Sequence, residues 1–289
     1  MTTECSWQVD GLHYAGLAWG PEDGVPMLAV HGWMDHAESF AELAPLLEGC
    51  RLVAPDLSGQ GLSEHRAAHA TYNIWDDLPQ IARILDSLGW DSCVLLGHSR
   101  GANISSLFAA AQPERVRALV LLDSLVPEPT VKSVVETMRA FILDTRKQAS
   151  RGPRIFPSAA EYVARRVAQG NSRSVAEALA GRALEPTEDG HRLRGDGRMF
   201  ASSAVKLSRE QVEAILAAIP CPVLNLWASD GILSRGSGSA ALAEAAERLV
   251  PQYERMEIEG DHHAHLDPEA AQVVAGAVLE FLARHRISE

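Results

Sequence analysis

The first half of the chain alternates short apolar runs with longer segments in which apolar residues recur every three or four positions. The short runs predict strands, and the longer segments predict helices that pack on a mostly parallel sheet. The predicted strands lie at 27–30, 51–54, 92–96 and 118–122. The predicted helices lie at 38–47, 75–88 and 101–111.

The pattern changes after residue 127. Residues 128–210 contain helical segments and several prolines but no convincing strand, which indicates a helical cap inserted into the sheet domain. Strand patterns return at 221–227 and 253–258, and a last helix is predicted from Pro268 to Arg284. We therefore expect an α/β core domain formed by residues 1–127 and 211–289, with the cap formed by residues 128–210.

The charge is large and unevenly distributed. A chain of 289 residues that is 46% hydrophobic can bury a sizeable core. Its net charge of -12 argues against nucleic acid or an anionic membrane as partner, so we expect a small molecule. Residues 131–210 alone contain 15 Lys and Arg against 9 Asp and Glu. This basic cap either attracts acidic substrates or simply presents solvated helix faces, and we favour the second interpretation.

No segment of the sequence indicates export or membrane insertion. The N-terminus has no basic region followed by an apolar stretch, and no apolar run is long enough to span a bilayer. The four cysteines are scattered and form no C-x-x-C pair, so neither a zinc site nor a disulfide framework is indicated. A cytoplasmic location is the prediction, and the oligomeric state cannot be read from the pattern.

The segment Gly97-His98-Ser99-Arg100-Gly101 lies between a predicted strand and a predicted helix. A serine at such a junction is typical of a nucleophile elbow, in which nearby glycines make room for a strained turn. A serine hydroxyl is a weak nucleophile, so Ser99 needs a histidine to take its proton and a carboxylate to orient that histidine.

Three further motifs accompany the elbow. Residues 31–40 read HGWMDHAESF, residues 56–63 read DLSGQGLS, and residues 113–123 contain PERV and LLD. In combination they resemble the α/β-hydrolases, and most of all the serine hydrolase-like proteins, over nearly the whole chain. The resemblance implies the α/β-hydrolase fold, with a mostly parallel sheet, helices on both faces and an inserted cap. It implies no metal or organic cofactor.

The resemblance also implies an oxyanion hole formed by the backbone amides of Trp33 and Arg100. Arg100 departs from the small or apolar residue that is common at its position. Its guanidinium could bind a substrate carboxylate or pair with a neighbouring acid, and we favour the pairing. For Asp56 and its turn we expect a structural role.

The segment 260–268, GDHHAHLDP, follows the last predicted strand and supplies the candidate base. Alignment with the superfamily pattern G-H-x-x-x-x-[ED] places the base at His262, and His263 is the alternative. The histidine cluster beside Asp261 could instead bind a metal. No second group of ligands follows at zinc-like spacing, so we predict no metal.

The acid has two candidates, Asp123 and Asp230. The commonest superfamily position is G-x-x-D after the strand at 224–227, but here the segment reads Ala228-Ser229-Asp230-Gly231 and its carboxylate falls one place early. Some relatives draw their acid from the end of the preceding strand, where Asp123 lies. We favour Asp123 and keep Asp230 as the alternative.

These residues predict hydrolysis of a small-molecule ester or related acyl bond through an acyl-serine intermediate. Epoxide hydrolases and haloalkane dehalogenases that resemble this chain use an aspartate nucleophile, so Ser99 argues against both. Thioester and C–C bond hydrolysis use serine and remain open. The alternative that is not an enzyme is a catalytically silent binding protein on the same fold. Such a protein is expected to lack a residue of the triad, but the sequence retains candidates for all three.

Overall fold

The computed structural model describes residues 2–236 and 238–287. In this part of the chain the strands are β1 (Thr3–Val9), β2 (Leu12–Trp19), β3 (Val25–Val30), β4 (Cys50–Pro55), β5 (Cys93–His98), β6 (Val116–Leu122), β7 (Ile155–Phe156), β8 (Leu184–Thr187), β9 (Gly190–Leu193), β10 (Val223–Asp230) and β11 (Tyr253–Asp261). The α-helices are α1 (Asp77–Ser87), α2 (Arg100–Ala111), α3 (Val134–Ala149), α4 (Ala159–Ala168), α5 (Arg173–Ala183), α6 (Arg209–Ala217), α7 (Ser239–Leu249) and α8 (Pro268–Arg284).

Eight strands form one sheet in the order β1-β2-β4-β3-β5-β6-β10-β11. β2 runs antiparallel to β1 and β4, whereas the neighbours from β4 to β11 are parallel. The central strands are continuous apolar runs because helices cover both faces, as the two buried clusters on opposite sides of the sheet show. The carboxyl ends of the parallel strands meet at one edge, where α/β sheets bind their ligands.

The predicted strands of the main sheet are all present, but two more begin the chain. β1 and β2 form an antiparallel hairpin at the edge of the sheet. The half-exposed β1 has no continuous apolar run, so the pattern did not reveal it. The predicted helix at 38–47 is instead two short 3₁₀ helices, Ala37–Phe40 and Ala44–Leu46. Pro45, which has no N–H to donate, lies in the second of them.

The segment between β6 and α6 contains α3, α4 and α5 and a second sheet in the order β7-β9-β8. The prediction of no strand in residues 128–210 was therefore wrong. These strands are only two to four residues long and few of their residues are buried, so they leave no hydrophobic pattern. A possible signal was Gly190, which begins β9 directly after the two-residue turn Glu188-Asp189. The boundaries of core and cap remain a prediction of the sequence.

No helix in the described residues combines the length and the apolar character that crossing a bilayer requires.

Candidate active site

Ser99 lies on the turn that connects β5 to α2, in the strained conformation that the elbow motif predicts. Its φ is 52° and its ψ is -118°. A Cβ at Gly97 would lie 2.6 Å from the Cα of Ala102, and a Cβ at Gly101 would overlap the carbonyl oxygen of Val30. Only glycine fits at these two positions, because the turn brings backbone against backbone.

The loop after β11 brings His262 to the serine. The Nε2 atom of His262 lies 2.9 Å from Ser99 Oγ, within hydrogen-bond distance. The side chain of His262 is 17% exposed, so a substrate can reach the pair. His263, the alternative base, points elsewhere: its ring is buried, with Nδ1 2.9 Å from the Asn171 amide and Nε2 3.6 Å from Asp35 Oδ2.

Asp123, at the end of β6, accepts the other hydrogen bond of the His262 ring. The distance from His262 Nδ1 to Asp123 Oδ2 is 2.6 Å. The same carboxylate accepts hydrogen bonds from the backbone N–H groups of Ala228 (3.1 Å) and Ile232 (2.9 Å), which fix its orientation. When Nδ1 carries the ring proton, Nε2 presents its lone pair to the serine hydroxyl.

Asp230, the alternative acid, is exposed at the end of β10 and does not take the Asp123 position. The next residue, Gly231, leaves room for the Asp123 carboxylate, because a Cβ at position 231 would overlap that carboxylate. The structure thus brings Ser99, His262 and Asp123 together and leaves Asp230 and His263 outside this hydrogen-bonded series.

Trp33 and Arg100 lie on the two segments that flank Ser99. Arg100 is the first residue of α2, so its backbone N–H has no partner within the helix and lies at the positive end of the helix dipole. The loop that carries Trp33 is held by buried His31, which donates from Nδ1 to the Gly32 carbonyl (2.8 Å) and accepts at Nε2 from the Leu57 N–H (2.9 Å). Burial lowers the pKa of His31, so this ring stays neutral.

The guanidinium of Arg100 is paired. Its Nη2 lies 2.7 Å from Asp77 Oδ2, and Arg66 Nη2 lies 3.0 Å from Asp77 Oδ1. This ion pair confirms the prediction that Arg100 contacts a neighbouring acid. Asp77 is buried, so two guanidinium groups compensate a carboxylate that would otherwise be costly to bury.

Asp56 holds the surrounding loops. Its Oδ1 accepts from the N–H of Ala37 (2.7 Å), and its Oδ2 accepts from the N–H of Leu62 and from Arg182 Nε (2.8 Å each). Arg182 also pairs with Glu4 at 2.9 Å, so α5 is tied to the core through two carboxylates. These contacts fit the structural role predicted for Asp56, but nothing in the sequence pointed to Arg182.

A cavity of about 270 Å³ lies beside Trp33 and Arg100. Its other walls come from both the core and the inserted segment. They combine apolar side chains, among them Ile74, Trp75, Met199, Val205 and Leu207, with the polar Glu128, Ser203 and Lys206. Met199 lies on the inserted segment. Phe156 and Tyr162 are buried in the small core of the inserted segment. A larger cavity of about 730 Å³ is lined by Arg151, Arg192 and Arg194, among others, and by neither Trp33 nor Arg100.

Behind the serine lies a second group of buried polar side chains. Burial alone would raise the pKa of Asp35, but the neighbouring His263 and His98 rings hold it well below its usual range. Burial lowers the pKa of His263 to about 4 and that of His265 well below its ordinary value. Asp35 is therefore charged near pH 7 and these two rings are neutral.

The fold and these residues are those of the α/β-hydrolase class, and comparison with known proteins agrees. Residues 25–269 match the model of the alpha/beta hydrolase fold family, and the chain belongs to that family. Among curated relatives, it is 31% identical to "Serine hydrolase-like protein" of Danio rerio over 92% of this chain and 84% of that protein. It is 29% identical to "Serine hydrolase-like protein 2" of Homo sapiens over 98% of this chain and 94% of that protein. The fold class and the serine hydrolase-like resemblance inferred from the motifs are confirmed.

Solved structures show the same similarity in three dimensions. A hypothetical protein of Pseudomonas aeruginosa superposes with a TM-score of 0.91 at 35% identity, covering 97% of this chain and 99% of that one. A thioesterase domain from the curacin biosynthetic pathway superposes with a TM-score of 0.81 at 25% identity, covering 96% of this chain and 99% of that one.

Proposed function

We propose that this protein hydrolyses a small-molecule ester or related acyl bond through an acyl-serine intermediate. The observation that carries the proposal is the unbroken series of contacts from Asp123 Oδ2 to His262 Nδ1 (2.6 Å) and from His262 Nε2 to Ser99 Oγ (2.9 Å). A serine, an imidazole and a buried carboxylate in this order are the arrangement that acyl transfer requires.

In the first half-reaction, Ser99 Oγ attacks the carbonyl carbon and its proton passes to His262 Nε2. The tetrahedral intermediate collapses, and the imidazolium gives that proton to the departing alkoxide, which leaves as the alcohol. In the second half, a water molecule attacks the acyl-serine and loses a proton to His262. The proton then returns to Ser99 Oγ as the carboxylic acid leaves. Asp123 stabilises the transient imidazolium in both halves.

The negative oxygen of each tetrahedral intermediate needs donors in fixed positions. We assign this role to the backbone N–H groups of Trp33 and Arg100, each contributing about 3 kcal/mol in the transition state. Support comes from the position of Arg100 at the start of α2 and from the close passage of the preceding loop, where a Cβ on Gly32 would lie 3.3 Å from Ser99 Cβ.

The cavity beside these donors supports a small acyl or leaving group. Its volume of about 270 Å³ lies just below the usual range of about 300–1,000 Å³ for small-molecule sites. A thioester would follow the same steps with a thiolate as leaving group. The similarity to a thioesterase domain favours that runner-up over C–C bond hydrolysis.

The test is turnover of p-nitrophenyl acetate, butyrate, octanoate and decanoate by the wild-type protein and by Ser99→Ala. We expect saturable hydrolysis that favours the shorter esters and falls about 10⁴-fold or more in the variant. Ser105→Ala, which removes another buried hydroxyl from α2, is the matched control and retains activity. Wild-type turnover no faster than that of Ser99→Ala would contradict the proposal and favour a catalytically silent binding protein.

A further inference from the structure

Three side chains with metal-ligating atoms converge behind the elbow. Asp35 Oδ2, His98 Nδ1 and His263 Nε2 all lie within 4.8 Å of one another, and all three residues are buried. They come from three separate segments: the loop after β3, the last residue of β5 and the loop after β11. Asp35 Oδ2 lies 3.7 Å from His98 Nδ1 and 3.6 Å from His263 Nε2.

The outward-facing atoms of the same three side chains each have a partner. His98 donates from Nε2 to the His262 carbonyl (2.8 Å), and His263 Nδ1 lies 2.9 Å from the Asn171 amide. Asp35 Oδ1 accepts from the N–H of His36 (3.0 Å). In metal centres, the ligating histidine characteristically donates its other ring N–H to a carbonyl or carboxylate, and ligating carboxylates are likewise hydrogen-bonded.

The inward-facing atoms lack such partners. Among the described residues, Asp35 Oδ2 and His98 Nδ1 are buried without a hydrogen bond. His98 Nδ1 and Asp35 Oδ2 face each other at 3.7 Å, beyond hydrogen-bond distance. Two buried polar atoms that face each other without a hydrogen bond are costly, and a cation bound between them would satisfy both.

The distances between the facing nitrogen and oxygen atoms distinguish a shared proton from a bound metal ion. A proton shared between an imidazole and a carboxylate gives an N–O separation of about 2.7–3.2 Å. A tetrahedral ion with ligands at about 2.0–2.1 Å separates two ligating atoms by about 3.3–3.4 Å. The two Asp35 Oδ2 distances, 3.6 Å and 3.7 Å, exceed the hydrogen-bond range and lie within a few tenths of an ångström of the metal value. The third pair, His98 Nδ1 and His263 Nε2, lies within 4.8 Å.

We propose that Asp35 Oδ2, His98 Nδ1 and His263 Nε2 bind one divalent transition-metal ion, for which Zn²⁺ is the probe. Two imidazoles and one carboxylate form a typical donor set for zinc, with a fourth position left for water. The structure places Asn171 Nδ2 2.9 Å from His263 Nδ1, so an ion on His263 Nε2 requires the ring proton on Nδ1 and a rotated Asn171 amide that presents its oxygen. The sequence excluded a metal because His262, His263 and His265 lacked further ligands nearby, and the fold supplies those ligands from positions 35 and 98.

Such an ion would join the segments next to Trp33, Ser99 and His262 without contacting the reacting atoms. We therefore expect the bound ion to stabilise the fold, so both zinc binding and the thermal unfolding midpoint can report it. This inference stands independently of the hydrolase proposal, because its measurements require no turnover.

The experiment titrates ZnCl₂ into the chelator-treated, full-length protein by calorimetry and follows the thermal unfolding midpoint. We expect one ion per chain, a higher unfolding midpoint with Zn²⁺, and binding weakened at least tenfold in Asp35→Asn and in His263→Gln. His265→Gln is the matched control: it removes another buried ring from the same loop, outside the three-residue group, and retains zinc affinity.

A second measurement needs no variant. Co²⁺ bound at this site gives the visible spectrum of nitrogen and oxygen ligands, without a thiolate charge-transfer band from any of the four cysteines. Four results would overturn the proposal: no saturable zinc binding, affinity unchanged in Asp35→Asn, equal loss in His265→Gln, or a thiolate band in the cobalt protein.

Discussion

The carboxyl edge of the main sheet and the inserted segment contribute to the same cavity but are packed very differently. Every residue of β5 is buried, and the strand ends directly before Ser99. In the inserted segment, by contrast, most of α3 is exposed, including Val134 and Ile142, and the buried cluster of Phe156 and its neighbours is small. The difference indicates that the sheet edge fixes the reacting atoms, whereas the segment shapes the space around them.

The largest effect is expected at the sheet edge, where Asp123→Asn removes the carboxylate that orients His262. Because asparagine can hold the wrong ring tautomer, kcat is expected to fall about 10⁴-fold. Asp230→Asn, at the exposed end of β10, should stay within about threefold of the wild-type protein. Steady-state ester hydrolysis measures both, and similar losses in the two variants would contradict the assignment of Asp123.

The connection between the two regions is expected to depend on Arg182. Arg182→Met leaves the fully buried carboxylate of Asp56 without its guanidinium, so the free energy of unfolding should fall by about 3–5 kcal/mol. Arg173→Met is the control on the same helix, because its pair with Glu177 is exposed and contributes about 0–1 kcal/mol. Urea unfolding measures both, and equal losses would show that Arg182 does not anchor α5.

The difference in burial between the main sheet and the inserted segment also explains much of which elements the sequence could predict. Strands buried on both faces, such as β5 and β6, are continuous apolar runs and were predicted. β1 was missed because an exposed edge needs no such run, and β7–β9 were missed because they are too short to show a period. β2 was missed although six of its eight residues are buried. Sequence pattern reports burial, so it fails at exposed or very short elements, but burial alone did not reveal β2.

The sequence likewise predicts some residues of the candidate site and not others. The elbow is encoded locally, because Gly97 and Gly101 are required by the turn itself, so Ser99 could be predicted. The choice between Asp123 and Asp230 depends on how the loop after β10 turns its N–H groups towards one carboxylate, which no local pattern specifies. Arg182 contacts a carboxylate 126 positions away, and the sequence carries no sign of that pairing.

A smaller effect is expected from the wall of the cavity. Val205→Trp places a large ring at the 270 Å³ cavity, so kcat/KM for decanoate esters should fall about tenfold while acetate esters change little. Val273→Trp, on α8, is a control of similar exposure (51% against 54%). An equal loss for both chain lengths would mean that Val205 does not determine acyl length.

The smallest effect concerns pH and stability. Burial lowers the pKa of His31 in the folded protein, so below about pH 6.5 the unfolded chain binds a proton that the folded chain does not. The contribution of the His31 side chain to folding stability is therefore complete above about pH 6.5 and is lost as the pH falls below that value. His31→Gln should remove up to about 1 kcal/mol of the stability change between pH 6.5 and pH 5.5. Urea unfolding at both pH values measures it, and an unchanged slope would contradict a neutral, buried ring.

Covalent labelling shows whether Ser99 is an activated nucleophile at the edge of the sheet. The intact protein is treated with a fluorophosphonate probe, and the modified residue is located by mass spectrometry of the digested chain. The account predicts one adduct on Ser99, unchanged in Ser105→Ala and lost when His262 is replaced by glutamine. An unlabelled protein, or an adduct that persists at another residue in Ser99→Ala, would contradict it.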